Sequence, residues 1–103
     1  MNNQIQIYEH ILNVLKDLLD EKYTLAARLQ REAEQRFAEI AHEDALRAQL
    51  PGAVYINRQS VYLLEHLKIE EVKFSICEIK KFIDLYAVYL DYETRAIQNG
   101  LKL

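Results

Sequence analysis

The chain has 103 residues and a formal net charge of −3, with 50% hydrophobic and 28% charged residues. These values exclude a disordered chain and predict one folded domain over residues 1–103. Basic and acidic residues are interleaved throughout. Proteins that bind double-stranded nucleic acid normally carry a basic patch, because neutralised phosphates supply much of their affinity. The charge pattern therefore disfavours nucleic acid as a partner and predicts a solvated helix surface of mixed charge.

The single cysteine and the N-terminal sequence limit the compartment. Cys77 has no second cysteine to pair with, so an intrachain disulfide or a thiolate metal cluster is excluded. Residues 1–7 do not show a basic segment followed by an apolar one, and no apolar run approaches the roughly 18 residues of a membrane helix. We therefore expect no cleaved signal, no membrane partner and a cytoplasmic protein.

The first half of the chain predicts one long helix. No Gly or Pro occurs before Pro51, and at about 100° per residue one apolar stripe keeps its phase across the half. We expect a helix over about residues 4–49, the alternative being a break near Thr24. The stripe lies within about 80° of Tyr8 and comprises Ile11, Leu12, Leu15, Leu18, Leu19, Tyr23, Ala26, Leu29, Ala33, Phe37 and Ile40.

A turn and a second long helix follow. Pro51 disfavours helical geometry at Leu50, and Gly52 tolerates a positive φ. An apolar connector over 53–56 leads to Asn57, a candidate N-cap. The second helix is expected over about residues 58–99, with Gly100 as its C′ residue and a break near residue 68 as the alternative. Two helices of similar length and a short loop predict an all-α, antiparallel helical hairpin.

The second helix carries two rows of apolar residues. One row has coiled-coil spacing, interrupted only by Glu93, and predicts the seam that packs on the first helix; it comprises Val72, Ile76, Ile79, Ile83, Tyr86, Leu90, Glu93 and Ile97. The other row lies roughly 100° away and comprises Phe82, Leu85, Tyr89, Tyr92 and Ala96. One partner helix cannot cover both rows. We expect the second row to meet another protein, unless a broken first helix folds back over it.

Tyrosine enrichment supports this interpretation of the second row, because a Tyr ring offers apolar contact and its hydroxyl can stay wet. The interaction surface is therefore expected at Phe82, Leu85, Tyr89 and Tyr92, whereas Tyr86 belongs to the seam. The partner is a second copy in a homodimer or higher oligomer, another protein, or both. Self-association would complete the hairpin to a helical bundle.

One short motif points to metal chemistry. Glu39-Ile40-Ala41-His42 places a carboxylate and an imidazole one turn apart and resembles the E-x-x-H motif of ferritin-like di-iron proteins. In the small encapsulated ferritins a further Glu and dimerisation complete the site, and Glu9 is the candidate for that Glu. Glu39 and His42 lie beside the apolar stripe, and the chain has no second E-x-x-H. A metal-binding oligomer is therefore an alternative, and our main expectation is no metal or cofactor.

The sequence shows no catalytic motif. Ser60, Ser75 and Cys77 have no His at a helical spacing, and two glycines cannot build a phosphate-binding loop. We expect a non-enzymatic interaction module such as an adaptor, a regulatory subunit or a chaperone-like binder. An alternative is nucleic-acid association, which requires a dimer that gathers Arg28, Arg31 and Arg36 on one face.

A late Tyr89-Leu90-Asp91-Tyr92-Glu93 segment matches a Y-x-x-x-[DE] pattern. Together with the length, the hairpin and the Gly-containing turn, it resembles the small hairpin proteins exported by type VII secretion. Their W-x-G turn is replaced here by Leu50-Pro51-Gly52. The resemblance implies a secreted hairpin protein as a further alternative.

Overall fold

The structure is a computed structural model and describes residues 3–53 and 56–100. It contains two helices, α1 (Asn3–Ala48) and α2 (Gln59–Gly100), which pack against each other as a helical hairpin. No strand occurs in the described residues. The prediction of an all-α hairpin is confirmed, and each helix bound differs by one residue from the predicted 4–49 and 58–99.

Both helices are continuous, so neither predicted alternative break occurs. α1 passes through Thr24 and α2 passes through residues 67–69 without interruption. The physical reason lies in the phase of the apolar positions, which stays constant on both sides of the polar segment 20–24. A continuous α1 also removes the one arrangement within the chain that was expected to cover both apolar rows of α2.

The turn between the helices follows the expected chemistry. α1 ends with two short-range hydrogen bonds, from the Gln49 N–H to the Leu46 carbonyl at 3.2 Å and from the Leu50 N–H to the Arg47 carbonyl at 3.0 Å. Gly52 then adopts φ = 73°, a conformation that a side chain disfavours. Of the predicted connector over 53–56, residues 54 and 55 lie outside the described part of the chain.

The two ends of α2 differ in how well they were predicted. The Asn57 Oδ1 accepts a hydrogen bond from the Gln59 N–H at 2.9 Å, which caps the helix start as expected, although the first helical hydrogen bonds go to the Arg58 carbonyl. Gly100 was expected as a C′ residue after the helix. That expectation is wrong, because Gly100 is the last residue of α2 and does not have a positive φ.

The hairpin divides into two compact units. Unit 1 comprises Met1–Tyr23 and Phe74–Leu103. Its buried apolar side chains are Leu12, Ile76 and Ile79. The rest of the predicted α2 seam in this unit, from Ile83 to Ile97, is half-buried. The core of unit 1 is therefore a single line of contacts between α1 and α2.

Unit 2 comprises Thr24–Lys73. Four apolar side chains are buried in it, namely Ala33, Ile40, Ile69 and Val72. The Phe37 and Tyr62 rings pack edge to face with centroids 4.8 Å apart. Near the turn, the Arg58 guanidinium pairs with Glu43 at 3.3 Å and with Asp44 at 3.6 Å, which ties the start of α2 to the end of α1.

Candidate functional site

The four side chains predicted as an interaction surface all lie in unit 1 and all reach solvent. Phe82, Leu85, Tyr89 and Tyr92 have exposed fractions between 42% and 70%. They are exposed because the adjacent seam, roughly 100° away on the same helix, is the side of α2 that faces α1. Four large apolar side chains in successive turns thus remain open to water on one side of α2.

Helix α1 adds a second apolar row to unit 1. Ile7, Val14 and Leu18 have exposed fractions of 37% to 50%. They lie about 80° to 120° from Tyr8, the centre of the α1 stripe, all in the same rotational sense, so that Leu18 is at the edge of the stripe and the other two lie beyond it. The buried Leu12 lies on the stripe itself. Each helix of unit 1 therefore presents an apolar row beside the residues that join the two helices.

An observed contact shows that these two rows lie on the same side of unit 1. The Lys80 ammonium is 5.4 Å from the centroid of the Tyr23 ring. On α1, Tyr23 lies about 60° from the stripe centre in the sense opposite to Leu18, and on α2 Lys80 lies about 80° from the seam in the sense opposite to Phe82. Since Tyr23 and Lys80 share one side, the two apolar rows share the other.

We name this side the apolar face. The residues that define it are Ile7, Val14, Leu18, Phe82, Leu85, Tyr89 and Tyr92. It is continuous across both helices, because the Tyr8 ring of α1 lies 5.8 Å from the Tyr89 ring and 6.0 Å from the Tyr86 ring of α2. The Tyr89 side chain thus packs against Tyr8 on one side and is exposed to solvent on the other.

Two ion pairs form within α2 of unit 1. Lys81 binds Glu78 at 3.1 Å, and Arg95 binds Asp91 at 3.1 Å. On the opposite side, a hydrogen bond with Tyr23, aided by the Coulombic effect of that tyrosine, raises the pKa of Lys80 above its ordinary value of 10.5. Lys80 is therefore a cation at neutral pH, on the side of unit 1 away from the apolar face.

The three candidate metal ligands are all exposed and are divided between the units. Glu9 lies in unit 1, whereas Glu39 and His42 lie in unit 2. Glu39 borders an open polar pocket of ≈ 280 Å³ that it shares with Arg36 and Lys68. Over residues 3–53 and 56–100, no three His, Cys, Asp or Glu residues form a group that could hold a metal ion.

One buried charge was missed by the sequence analysis. The Glu65 side chain is 9% exposed and pairs with the Arg36 Nε at 3.5 Å and the Lys68 Nζ at 3.2 Å. The four-and-three spacing of the α2 seam, followed back through Val72 and Ile69, arrives at residue 65. The predicted seam began at Val72, so this signal at residue 65 lay outside it.

Comparison with known proteins identified no similar protein. No protein-family model matches the chain, and neither a curated protein nor a solved structure matches it. Within the described residues, neither helix has a stretch long and apolar enough to cross a membrane.

Proposed function

We propose that the chain is a non-enzymatic helical interaction module that binds protein through the apolar face of unit 1. The observation that carries the proposal is the sustained exposure of Phe82, Leu85, Tyr89 and Tyr92 beside a packed seam. Large exposed apolar patches are uncommon on monomers and are typical of binding sites.

The composition of the apolar face supports a protein as the ligand. Tyr and Phe are enriched at protein interfaces, and charged residues are depleted at interface centres. Three of the seven defining residues are aromatic, and none is charged. An anionic membrane surface or a nucleic acid would be bound by unpaired Lys and Arg, whereas Lys81, the basic residue next to Phe82, is paired with Glu78.

Photo-crosslinking in the cells that encode the chain tests the proposal. A benzophenone amino acid placed at Tyr92, the most exposed of the seven residues, is expected to give discrete adducts on irradiation. Mass spectrometry then identifies the crosslinked protein, whether a second copy or another chain. The same probe at Asp17 is the matched control, because Asp17 is exposed on α1 and points away from α2.

The proposal predicts adducts at position 92 and few or none at position 17. The absence of protein adducts at position 92, at full expression and with a proven photoreaction, would contradict it. Equal adducts at both positions would also contradict it, because the contact would then not be specific to the apolar face.

A further inference from the structure

We infer that the occupant of the apolar face is a second copy of this chain, which packs its own apolar face against the first in a two-fold symmetric helical bundle. The inference rests on the proposed function and makes it specific. Three features of the chain support it, namely its surface area, its buried core and its charges.

The exposed surface is the first feature. The chain exposes 8163 Å², whereas a compact monomer of 12.2 kDa exposes about 6,000 Å². The excess is about 2,000 Å², and an obligate homodimer buries about 1,000–2,500 Å² on each copy. The surface left open by the single chain is thus of the size that a stable dimer requires.

The thin core is the second feature. Among the described residues only seven apolar side chains are buried, and no large side chain is completely buried. A single line of contacts between two helices stabilises a fold weakly, because little apolar area leaves water while each ordered residue costs about 1–2 kcal/mol of backbone entropy. A partner that is always present when the chain is made offsets this cost, and a second copy meets that condition.

The charge distribution is the third feature. Residues 3–23 and 74–100 of unit 1 contain five basic and eight acidic side chains, and the seven residues that define the apolar face are all uncharged. None of these seven residues would select a partner by its charge. A second copy needs no such charge, since an isologous interface requires only that one surface complement itself.

The α1 row and the α2 row of the apolar face allow the face of one copy to complement the face of another. α2 contributes the rings of Phe82, Tyr89 and Tyr92, and α1 contributes the smaller aliphatic side chains Ile7, Val14 and Leu18. Two hairpins that meet face to face form a four-helix arrangement, the common way to bury such rows. Large and small side chains in alternate rows can then interdigitate to native density.

Analytical ultracentrifugation of the purified full chain from about 1 to 100 µM tests the inference over a range typical of specific dimers. We expect twice the chain mass of 12.2 kDa. Phe82→Glu is expected to weaken dimerisation about a thousandfold, because a two-fold interface contains the substitution twice and each copy sits at an aromatic contact. Ala87→Glu is the matched control on the same helix, exposed and in the rotational sense of Lys80, and should leave the dimer intact.

Folding and association are separated by a second variant. If Phe82→Glu loses its helical circular dichroism, Tyr92→Glu replaces it, because Tyr92 is 70% exposed in the single chain and its loss removes little packing within that chain. The wild-type melting temperature should also rise with protein concentration, because dimerisation stabilises the folded chain by mass action.

The outcomes distinguish this inference from the proposed function. A wild-type monomer up to 100 µM whose position 92 still crosslinks to a different protein overturns the second copy and keeps the interaction module. A monomer without crosslinks overturns both. A dimer that survives Phe82→Glu and Tyr92→Glu places the contact elsewhere and overturns the inference.

Discussion

Replacing the buried carboxylate of Glu65 by leucine is expected to leave the fold intact and to stabilise it. Glu65 occupies a position of the α2 seam in unit 2, with a side chain 9% exposed. Moving a carboxylate from water to such a site costs several kcal/mol. The two cations that compensate for it, Arg36 at 3.5 Å and Lys68 at 3.2 Å, are themselves 58% and 56% exposed.

The magnitude follows from comparing these terms. At an effective dielectric constant of about 20, each attraction is about 4 kcal/mol before solvent exposure of the cations reduces it. The attraction and the desolvation cost therefore nearly cancel. A leucine at the same position buries apolar area worth about 1.5–3 kcal/mol and lets Arg36 and Lys68 return to water. We expect Glu65→Leu to raise the free energy of unfolding by about 1–2 kcal/mol.

Urea unfolding followed by circular dichroism, at one fixed protein concentration, measures this change. The matched variant is the double substitution Arg36→Met with Lys68→Met, which leaves the Glu65 carboxylate without a cation and should lower the free energy by about 3 kcal/mol. A lower free energy of unfolding in Glu65→Leu than in the wild type would refute the reasoning. The ion pairs would then be net stabilising.

Three further changes test local features of the fold. The edge-to-face pair Phe37 and Tyr62, at 4.8 Å, should show a coupling energy of about 0.5–1.5 kcal/mol in a double-mutant cycle with alanine, and a coupling near zero would deny the contact. Gly52→Ala should lower the free energy of unfolding by about 1–2 kcal/mol, because Gly52 has φ = 73°. The control Gly100→Ala should not lower it, and equal effects of the two substitutions would contradict the turn at Gly52. Asn57→Ala removes the cap on Gln59 at 2.9 Å and should cost about 1 kcal/mol by thermal unfolding; an unchanged melting temperature would show that the cap does not contribute.

Much of the fold could be predicted because helices follow local rules. The absence of Gly and Pro before Pro51 and the constant phase of the apolar stripe are properties of neighbouring residues, and they gave both helices and the turn at Gly52. Gly100 was placed wrongly because a glycine fits both the last turn of a helix and the residue after it.

The candidate site could be predicted only in part. The wheel positions of Phe82 and Tyr92 on α2 show which row is left over, since one helix covers little more than about 100° of its neighbour. Whether the apolar row of α1 lies on the same side of unit 1 as this α2 row depends on how the two helices are paired. The contact between Tyr23 and Lys80 shows that it does. The burial of Glu65 also depends on packing, which decides whether nearby cations can compensate a charge.

Contacts between two copies of the chain provide the most direct test of the central claim. In a mixed sample of ¹³C-labelled and unlabelled protein, isotope-filtered NMR detects only nuclear Overhauser effects between copies. The account predicts such effects between the rings of Phe82 and Tyr89 in one copy and apolar-face side chains of the other, including the methyl groups of Val14 and Leu18. A spectrum without effects between copies at a concentration where the protein is folded, or with effects confined to residues outside the apolar face, would contradict it.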